Sequence, residues 1–406
     1  MDITHFKRDI EPRLTFIPGL PVLVIIGARR VGKTTLLQHW YAQLEQTPRA
    51  WLDGDNPAHL LIWERFRTGQ DAGSWLANLT GSDPKKEIML FLDEAQMFPD
   101  SSKLVKSLVD TVPALRVVMS GSSALKLKDL SSESLAGRKQ LLELYPLNLH
   151  ERLLDPRLIA KGDQMRAFSV PGILGEMLVW GGFPALTNLK ENWQKTSYLV
   201  DVVDSVLYRD LMSEVRQKDI GLFKRLLVAL ARAIGSKVNV SNLCKALELS
   251  RPTVTRYLDL LEQASVIALL SGIDGQGVVP KAQPKVYFLD NGILSMLLAD
   301  DRVFEVRKPE DQAMLLENFV VGELIKRYSY AGDALTQLGY LWHPKGEIDI
   351  VAFRNGAIQQ AWEVKLTDNQ GGSRATRDAL EGAPLDVVNL GSISGFFMDG
   401  WTSQQA

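Results

Sequence analysis

The sequence predicts an α/β fold whose N-terminal part is a parallel β-sheet with helices on both faces. In the first 150 residues, short apolar runs alternate with stretches of helical character, an alternation that is typical of such sheets. The apolar run from Val22 to Ile26 leads into the glycine-containing segment Gly27 to Thr34, which is followed by a helical stretch. A second apolar run, from Ile88 to Leu92, ends in two acids, Asp93 and Glu94.

The predicted elements of this first domain follow one another in a regular order. A helix is expected from Lys33 to about Leu44, and after Pro146 the pattern becomes helical. The segment Gly181-Gly182-Phe183-Pro184 interrupts it, and helical periodicity returns between residues 194 and 234. The expected strands are residues 22–26, 50–52, 88–92, 115–119 and 141–144.

The last part of the chain predicts a helix-turn-helix followed by a second group of strands. One short helix covers about Val240 to Glu248, and Ser250 is the expected N-cap of the next helix. Pro252 lies in the first turn of that helix, where its missing N–H is harmless. The Gly- and Pro-rich segment Gly272 to Pro284 is expected to be a wing or a linker. A helix near residues 312–328 precedes expected strands at 337–343, 347–354 and 358–366.

Length and composition predict a globular protein of two to four domains. The chain has 406 residues, of which 46% are hydrophobic and 23% charged. Its single cysteine, Cys244, excludes a disulfide framework and a multi-cysteine zinc site. No apolar run approaches the ~20 residues of a membrane span, and the first residues lack the apolar core of a signal peptide. We therefore expect a cytoplasmic protein without membrane contact.

The segment from Gly27 to Thr34 fits the phosphate-binding loop pattern at all eight positions. An apolar strand precedes it and a helix follows it, as the pattern requires. The backbone N–H groups of such a loop surround phosphates, the lysine reaches the β- and γ-phosphates, and the hydroxyl after it binds Mg²⁺. ATP and Mg²⁺ are therefore the expected ligands. The expected contact residues are Gly27, Ala28, Arg29, Arg30, Val31, Gly32, Lys33, Thr34 and Thr35.

The acids Asp93 and Glu94 are the expected partners of this loop. Asp93 ends a buried strand and is expected to hold Mg²⁺ through water, while Glu94 is placed to orient or deprotonate the attacking water. A serine at the end of the next strand, Ser120 or Ser122, is a candidate contact to the γ-phosphate or to the water. Such a serine is as often a turn cap.

The motifs together resemble a large prokaryotic group of AAA+ ATPases that carry a DUF4143 region. The resemblance covers nearly the whole chain, and its nucleotide motifs are shared by many NTPases. The ATPase motifs that carry it are Gly27–Thr35, Leu92-Asp93-Glu94, Ser120-Gly121-Ser122-Ser123, Leu135-Ala136-Gly137-Arg138 and Leu144-Tyr145-Pro146-Leu147. The motifs that resemble the DUF4143 region are Gly181–Pro184, Tyr208-Arg209-Asp210 and Tyr287–Gly292.

The resemblance implies an architecture and an additional site residue. It implies an AAA+ core in residues 1–150, a helical and winged-helix region in 151–285, and a restriction-nuclease-like α/β domain in 286–406. It also implies a homo-oligomer in which Arg138 is the arginine finger. An ordinary surface arginine is the alternative for Arg138.

The helix-turn-helix makes DNA an expected partner. Between Ser205 and Ser265 there are ten Lys and Arg and six Asp and Glu, a local balance of 10 − 6 = +4, although the whole chain has a net charge of −2. Arg251 and Arg256 flank the second helix. Thr253, Thr255 and Tyr257 are also expected to reach a nucleic-acid backbone. A winged helix that only connects domains is the alternative.

Four residues near the C-terminus form a second candidate site. Glu363 and Lys365 share one face of an apolar strand, Asp349 interrupts the preceding strand, and Glu317 lies on the helix before it. Carboxylates that hold a divalent metal, with a lysine that activates water or stabilises charge, suit a Mg²⁺-dependent phosphodiesterase. The set resembles the PD-(D/E)xK nuclease pattern. A nuclease-like domain that only binds is the alternative.

Strand register decides whether this second site exists. A two-residue turn at Asn355-Gly356 without irregularity would place Asp349 opposite Trp362, and Asp349 and Glu363 would lie on opposite faces. A three-residue loop or a β-bulge would instead place Asp349 opposite Glu363, and the loop would also place Glu347 opposite Lys365. We therefore expect the odd loop or a bulge, with Glu317 approaching the same point.

The function that these features favour is an ATP-driven protein that binds or processes DNA. ATP hydrolysis would be coupled to the nuclease-like C-terminal domain. The alternative is a regulatory or signalling switch, in which nucleotide state controls partner binding and the C-terminal domain is a non-catalytic scaffold.

Overall fold

The structure of the chain is a computed structural model that describes residues 6–81, 86–121, 135–205, 215, 219–344, 346–367 and 374–402. The chain divides into two compact units, Met1–Leu144 and Tyr145–Ala406. Each unit has its own sheet, the first purely parallel and the second mixed. Within the described ranges, no helix has both the length and the apolar character needed to cross a membrane.

The first unit contains the predicted parallel sheet. Its five strands lie in the order β2-β3-β4-β1-β5, and every neighbouring pair is parallel. The strands are β1 (Val22–Ile26), β2 (Arg49–Asp53), β3 (Ile88–Asp93), β4 (Leu115–Gly121) and β5 (Lys139–Glu143). The helices are α1 (Lys33–Gln43), α2 (Pro57–Trp63), α3 (Gly69–Thr80) and α4 (Ser101–Thr111).

Burial explains why the central strands read as continuous apolar runs. All six residues of β3 are buried, as are six of the seven in β4. A strand that helices cover on both faces has no solvent-facing side, so polar alternation disappears. The sequence prediction of the sheet is confirmed, with strand ends shifted by one or two residues.

The second unit is a helical region that leads into a mixed sheet. Its strands are β6 (Ile267–Asp274), β7 (Gly277–Val278), β8 (Lys285–Phe288), β9 (Gln337–His343), β10 (Gly346–Arg354), β11 (Ala357–Val364) and β12 (Leu385–Val388). They lie in the order β12-β11-β10-β9-β6-β7, and β8 also pairs with β6. The helices are α5 (Leu149–Leu153), α6 (Pro156–Ile159), α7 (Asp163–Trp180), α8 (Asn192–Val203), α9 (Ile220–Ala231), α10 (Val240–Leu247), α11 (Arg251–Gln263), α12 (Asn291–Leu297), α13 (Pro309–Ala331), α14 (Arg374–Asp378) and α15 (Ile393–Thr402).

One strand joins the middle of the sequence to the C-terminal sheet. β6 pairs in parallel with β9 through Ser271–Gly339 and Ile273–Leu341. The expected boundary between residues 285 and 286 therefore lies inside this unit. The segment expected to be a wing or linker begins within β6, which turns back into β7 by pairing Asp274 with Gly277.

The helix-turn-helix forms as expected, with one correction. The Ser250 hydroxyl accepts a hydrogen bond from the Thr253 N–H and caps α11, and Glu248 makes the left-handed turn (φ 54°) before it. The expectation that Tyr257 reaches a nucleic-acid backbone is wrong. Tyr257 is buried, its hydroxyl donates to Asp219 at 3.2 Å, and its ring meets Phe223 edge-on. Tyr257 therefore lies on the buried, apolar face of α11.

Candidate functional site

The phosphate-binding loop is the turn between β1 and α1, and two glycines determine its shape. Gly27 (φ 156°) lies so close to the Leu144 carbonyl that a Cβ would overlap the oxygen. Gly32 (φ 100°) is the left-handed residue from which α1 begins, and Arg30 also has a positive φ of 67°. Any residue other than glycine would therefore be strained at these two positions. Glycine lets the backbone wrap closely around phosphates.

Lys33 lies inside the loop, where phosphate oxygens would lie. The side chain is buried, and its ammonium donates to the Gly27 carbonyl at 2.9 Å and the Ala28 carbonyl at 3.0 Å. Arg8 supports the loop from below, because its guanidinium donates to the Val31 carbonyl at 2.9 Å. Sequence reasoning missed Arg8, since an arginine before the first strand carries no motif.

Asp93 lies at the end of β3 and is held by two hydroxyl groups. Thr34, the second residue of α1, hydrogen-bonds the Asp93 carboxylate, and so does Ser120 at the end of β4. Burial raises the pKa of Asp93, and these two hydrogen bonds oppose that rise. Loop, acid and serine therefore meet at the carboxyl edge of the sheet, where the neighbouring parallel strands β3 and β4 end together.

Among the residues that the structure describes, Ser120 contacts the acidic pair. Besides bonding Asp93, its oxygen accepts the Glu94 N–H at 3.1 Å. Sequence reasoning gave Ser120 and Ser122 as alternatives and favoured Ser122 as a catalytic residue. Ser122 and the Tyr208-Arg209-Asp210 motif lie outside the described residues.

Glu94 has a backbone conformation that is rare for a non-glycine residue. Its φ and ψ are 49° and 50°, in the left-handed region, and its side chain accepts a hydrogen bond from the Gln96 amide at 2.6 Å. Strain of this kind concentrates at functional sites.

Two further acids near this pair were not predicted. Asp53 ends β2 directly opposite Asp93 in the parallel register, and its carboxylate accepts the Asp55 N–H at 2.9 Å. Burial raises the pKa of Asp55, and the charges of Glu94 and Asp53 add to that rise. The positive charge of Arg29 opposes it. The edge of the sheet is thus strongly negative, which suits a divalent cation.

Arg138 lies outside this cluster. It follows the Leu135-Ala136-Gly137 turn, and its guanidinium makes a two-pronged contact with Asp110 at 2.8 and 3.2 Å. Both side chains are partly exposed. Within this unit, Arg138 is therefore an anchored surface residue.

The exposed side of α11 carries the two predicted arginines. Arg251, Thr255 and Arg256 are exposed, whereas Val254 and Leu258 are buried on the other side. Arg251 is also within 3.4 Å of the Ser241 hydroxyl on α10. The helix therefore presents a basic, polar face to solvent.

A β-bulge brings the predicted C-terminal acids together. The tight Asn355-Gly356 turn pairs Arg354 with Ala357, both turn residues having positive φ. The register then shifts between Ala352 and Phe353, and Ile350 pairs with Trp362. Asp349 and Glu363, each one residue further along its strand, therefore lie on the same face. Of the two expected routes, the structure has the bulge.

Hydrogen bonds and ion pairs define the cluster around these acids. Asp349 accepts the Val364 N–H at 2.9 Å, and one oxygen of Glu363 pairs with Lys365 at 2.7 Å. Within the described part of the chain, the other oxygen of Glu363 is buried and has no hydrogen-bond partner. Glu317 on α13 accepts the Tyr287 hydroxyl at 2.7 Å. Lys365, two residues after Glu363 in the sequence, is therefore the positive partner of Glu363.

The buried carboxyl groups Glu317 and Asp349 both have raised pKa values. Burial raises the pKa of Glu317, and the nearby charge of Asp349 adds to that rise. Burial likewise raises the pKa of Asp349, against a hydrogen bond from Val364 and the charges of Lys285 and Lys365. The charges of Lys285 and Lys365 oppose the rise in pKa at both acids.

Glu347 was expected opposite Lys365 only with the three-residue loop, and the tight turn with a bulge forms instead. Glu347 forms ion pairs with Lys237 and, at 3.3 Å, with Lys285. In the sheet, Glu347 lies opposite Trp342 on β9, and the paired part of β10 and β11 begins at Ile350. Lys365 is left to pair with Glu363.

The cluster fits a hard divalent cation by its chemistry more than by its present geometry. Carboxylate oxygens are the ligands that Mg²⁺ and Mn²⁺ prefer, and the unpartnered Glu363 oxygen needs a partner. Across the described ranges, however, no three His, Cys, Asp or Glu residues are grouped closely enough to hold a metal ion. Coordination by all three acids would therefore require their side chains to move closer together.

Comparison with known protein families finds an AAA domain in the part of the chain that contains the first site. The chain matches the AAA domain family over residues 20–153 and the Domain of unknown function DUF8612 over residues 172–302. It carries a P-loop AAA ATPase domain followed by a DUF8612 region. The region that resemblance assigned to DUF4143 is thus matched by DUF8612.

Similar proteins from other organisms extend over most of the chain. An uncharacterized protein of Mycobacterium tuberculosis is 28% identical over 383 residues, which is 92% of this chain and 77% of that protein. An uncharacterized protein of Methanocaldococcus jannaschii is 26% identical over 397 residues, or 96% of this chain and 84% of that protein. Among solved structures, the Walker-type ATPase of Pyrococcus abyssi aligns with a TM-score of 0.47 and 15% identity, over 73% of this chain and 96% of that one.

The bridging position of Ser120 leads to a first testable prediction. Ser120→Ala removes the hydroxyl that joins Asp93 to the Glu94 backbone, so both acids lose a fixed position. We expect kcat for ATP hydrolysis to fall about 10- to 100-fold, as for other partners of metal-binding groups, while affinity for a fluorescent ATP analogue stays within about threefold. Ser101→Ala, another buried serine of this unit, is the control. An unchanged kcat would show that Ser120 has no part in catalysis.

Proposed function

We propose that this chain is a Mg²⁺-dependent ATPase whose nucleotide cycle drives binding or processing of DNA by its second unit. The observation that carries the ATPase proposal is the meeting of Lys33, Thr34, Asp93 and Ser120 at one edge of the sheet. The match to the AAA domain family supports it.

The residues of the first site have distinct roles in the proposed reaction. The Lys33 ammonium already lies inside the loop, where it donates to the Gly27 and Ala28 carbonyls. On ATP binding it would donate to phosphate oxygens instead. Thr34 and Asp93 are the residues that would hold Mg²⁺, which would neutralise negative charge on the phosphates of ATP. Glu94, positioned by Gln96, accepts a proton from the attacking water.

Arg138 is proposed to act on the nucleotide of a neighbouring subunit. Its contact with Asp110 lies on the exposed surface of the first unit, so another copy of the chain can reach it. An arginine supplied from outside the site stabilises the charge of the transition state. The Asp110 contact would have to open when the neighbour binds ATP.

Two substitutions test the ATPase proposal and separate binding from turnover. Lys33→Ala is expected to abolish ATP-dependent turnover, because it removes the charge aimed at the phosphates. Glu94→Gln is expected to bind ATP normally and to hydrolyse it ~10²–10⁴-fold more slowly, which is the usual loss with a general base. Binding is measured by fluorescence and hydrolysis by phosphate release. Wild-type turnover in Lys33→Ala would refute the assignment, and equal loss of binding and turnover in Glu94→Gln would give Glu94 another role.

DNA is proposed to bind the exposed face of α11. Arg251 and Arg256 project from a helix whose opposite face is buried, which is how a recognition helix is anchored. The local charge of +4 within residues 205–265, from ten basic and six acidic residues, would favour the phosphate backbone. The buried position of Tyr257 restricts the proposed contact to the polar residues of the outer face.

Charge reversal on α11 tests the proposed DNA contact. Arg251→Glu with Arg256→Glu should weaken DNA binding and flatten its salt dependence, because each lost phosphate contact removes about 0.9 from the log–log slope. The control is Lys103→Glu with Lys106→Glu on α4, which changes the net charge equally at exposed positions of the other unit. Fluorescence anisotropy at several salt concentrations measures the slope. Equal effects of both pairs would favour the connector alternative.

A second candidate function is metal-dependent phosphodiester hydrolysis at the C-terminal acids. The observation that favours it is the bulge that places Asp349 beside Glu363, together with the buried, unpartnered oxygen of Glu363. Glu317, Asp349 and Glu363 are the proposed metal-holding residues, and Lys365 is the proposed catalytic lysine. A divalent cation there would polarise the scissile phosphate. The alternative is a regulatory switch in which the cluster stabilises a scaffold.

Loss of Asp349 discriminates between these two functions. Asp349→Asn is expected to lower Mg²⁺- or Mn²⁺-dependent DNA cleavage at least about 100-fold, since metal stabilisation of the transition state amounts to several kcal/mol, and to leave ATPase activity unchanged. Asp386→Asn on β12, an acid outside the cluster, is the control. Cleavage is followed on labelled single-stranded, duplex and branched DNA. If the wild type cuts none of them in either metal, the scaffold alternative holds.

A further inference from the structure

The segment before the first strand carries a buried arginine that contacts the phosphate-binding loop. Phe6, Arg8 and Ile10 are buried, and a short 3₁₀ helix, Glu11–Arg13, follows them. Burying a positive charge is unfavourable unless the group is hydrogen-bonded. The contacts of Arg8 therefore indicate which part of the first unit this segment holds in place.

Arg8 is fixed at both its backbone and its guanidinium. The Arg8 N–H donates to a carboxylate oxygen of Glu11 at 2.7 Å, and the Glu11 N–H donates to the Arg8 carbonyl at 3.0 Å. At the far end of the side chain, the guanidinium donates to the Val31 carbonyl at 2.9 Å, and this hydrogen bond is buried. Arg8 thus joins a closed turn of the N-terminal segment to one peptide group of the loop.

The peptide group that Arg8 contacts also carries the Gly32 N–H. In a planar trans peptide, the C=O and the N–H point in opposite directions. Because the Val31 carbonyl points toward Arg8, the Gly32 N–H points away from Arg8. The backbone N–H groups of a phosphate-binding loop are the donors that surround the phosphates. The contact with Arg8 therefore sets the direction of one of these donors.

Glycine at position 32 makes this control of direction necessary. The Gly32 carbonyl accepts the Leu36 N–H at 2.9 Å and is fixed as the start of α1. On its other side, Gly32 has a φ of 100°, and glycine allows the preceding peptide to rotate at little steric cost. A hydrogen bond at the Val31 carbonyl restricts that rotation.

We propose that Arg8 is a positioning residue of the phosphate-binding loop, which holds the Val31–Gly32 peptide in the orientation in which the Gly32 N–H donates to the phosphates of ATP. This inference rests on the ATPase function proposed above. A positive charge at the Val31 carbonyl also strengthens the N–H of the same peptide as a donor, since linked hydrogen bonds polarise one another. Arg8 acts from 23 residues before Val31, outside the loop motif.

Nucleotide affinity tests the proposal in the full chain. Arg8→Met keeps an unbranched side chain and removes every donor. We expect affinity for a fluorescent ADP analogue to fall about 10-fold, as when one hydrogen bond to a charged group is lost. Pyrophosphate, used as a competitor, should lose affinity by the same factor, because it carries the phosphates without the base.

Steady-state kinetics give a second readout. The Gly32 N–H would contact the phosphates both before and during the reaction, so its loss is a loss of uniform binding. We expect KM for ATP to rise in Arg8→Met and kcat to stay within about threefold of the wild type. This is the reverse of the pattern expected for Ser120→Ala.

Arg116→Met is the matched control for loss of an arginine that donates to backbone carbonyls. Arg116 lies near the amino end of β4, and its guanidinium donates to the Pro113 and Leu115 carbonyls at 3.2 and 3.0 Å. The phosphate-binding loop follows the carboxyl end of β1, which is parallel to β4. We expect nucleotide affinity in Arg116→Met to equal that of the wild type.

Nuclear magnetic resonance reports on the Gly32 amide itself. The dipeptide Val-Gly occurs twice in the chain, at Val31-Gly32 and Val321-Gly322. With ¹³C in the valine carbonyl and ¹⁵N in glycine, only these two amides give a carbon-coupled signal. We expect saturating ADP with Mg²⁺ to shift the Gly32 signal in the wild type and to shift it far less in Arg8→Met. Gly322, buried within α13, is the internal reference.

The outcomes separate the positioning role from the ATPase proposal. If the wild type binds ADP and hydrolyses ATP, but Arg8→Met binds ADP as the wild type does or loses no more than Arg116→Met, the positioning role alone is overturned. A Gly32 shift of wild-type size in Arg8→Met also overturns it. If the wild type binds neither ADP nor ATP, the ATPase proposal falls and the positioning role with it. Thermal unfolding checks the fold, and Arg8→Gln, with the same expected losses, replaces Arg8→Met if that variant does not fold.

Discussion

The register of the strands is the constraint on which both candidate sites depend. Side chains alternate along a strand, so a shift of one residue moves each of them to the other face. In the first unit, parallel pairing sets Asp53 beside Asp93, and the ends of β3 and β4 meet so that Ser120 reaches the acid. In the second unit, the bulge between Ala352 and Phe353 shifts the register by one residue. Asp349 and Glu363 therefore lie on the same face in spite of the tight turn.

The side chains of the first site are held in place by one another and by the backbone. The ammonium of Lys33 lies on loop carbonyls, hydroxyl groups hold Asp93, and Glu94 retains a strained backbone. Each contact limits the number of arrangements that binding must order, so less binding energy is lost to ordering. The C-terminal cluster differs, because Glu363 is paired with Lys365 and the neighbouring Glu347 with Lys237. A ligand at that cluster has to compete with ion pairs.

Local patterns could be predicted from the sequence, whereas contacts between distant segments could not. The loop, its strand and its helix are adjacent in sequence, and the odd register of β10 and β11 followed from the requirement that two acids meet. Tyr257 was assigned the wrong side of its helix because a tyrosine suits either face. The contact of Tyr287 with Glu317 spans 30 residues, and no local signal marks it. Which serine meets Asp93 depended on the last residues of β4, where strand ends are hardest to place.

The parallel pairing of β6 with β9 has a consequence for the order of folding. Ser271 meets Gly339 only after the intervening helices have been synthesised and folded back, and such non-local pairs form slowly because the loop must close first. Until then, the edge of β6 that β9 covers exposes free backbone groups, which are a template for strands of other chains. A fragment that ends with the DUF8612 match at residue 302 lacks β9 altogether and keeps that edge open. During synthesis, this edge of β6 is therefore open to strands of other chains in the interval between the appearance of β6 and that of β9.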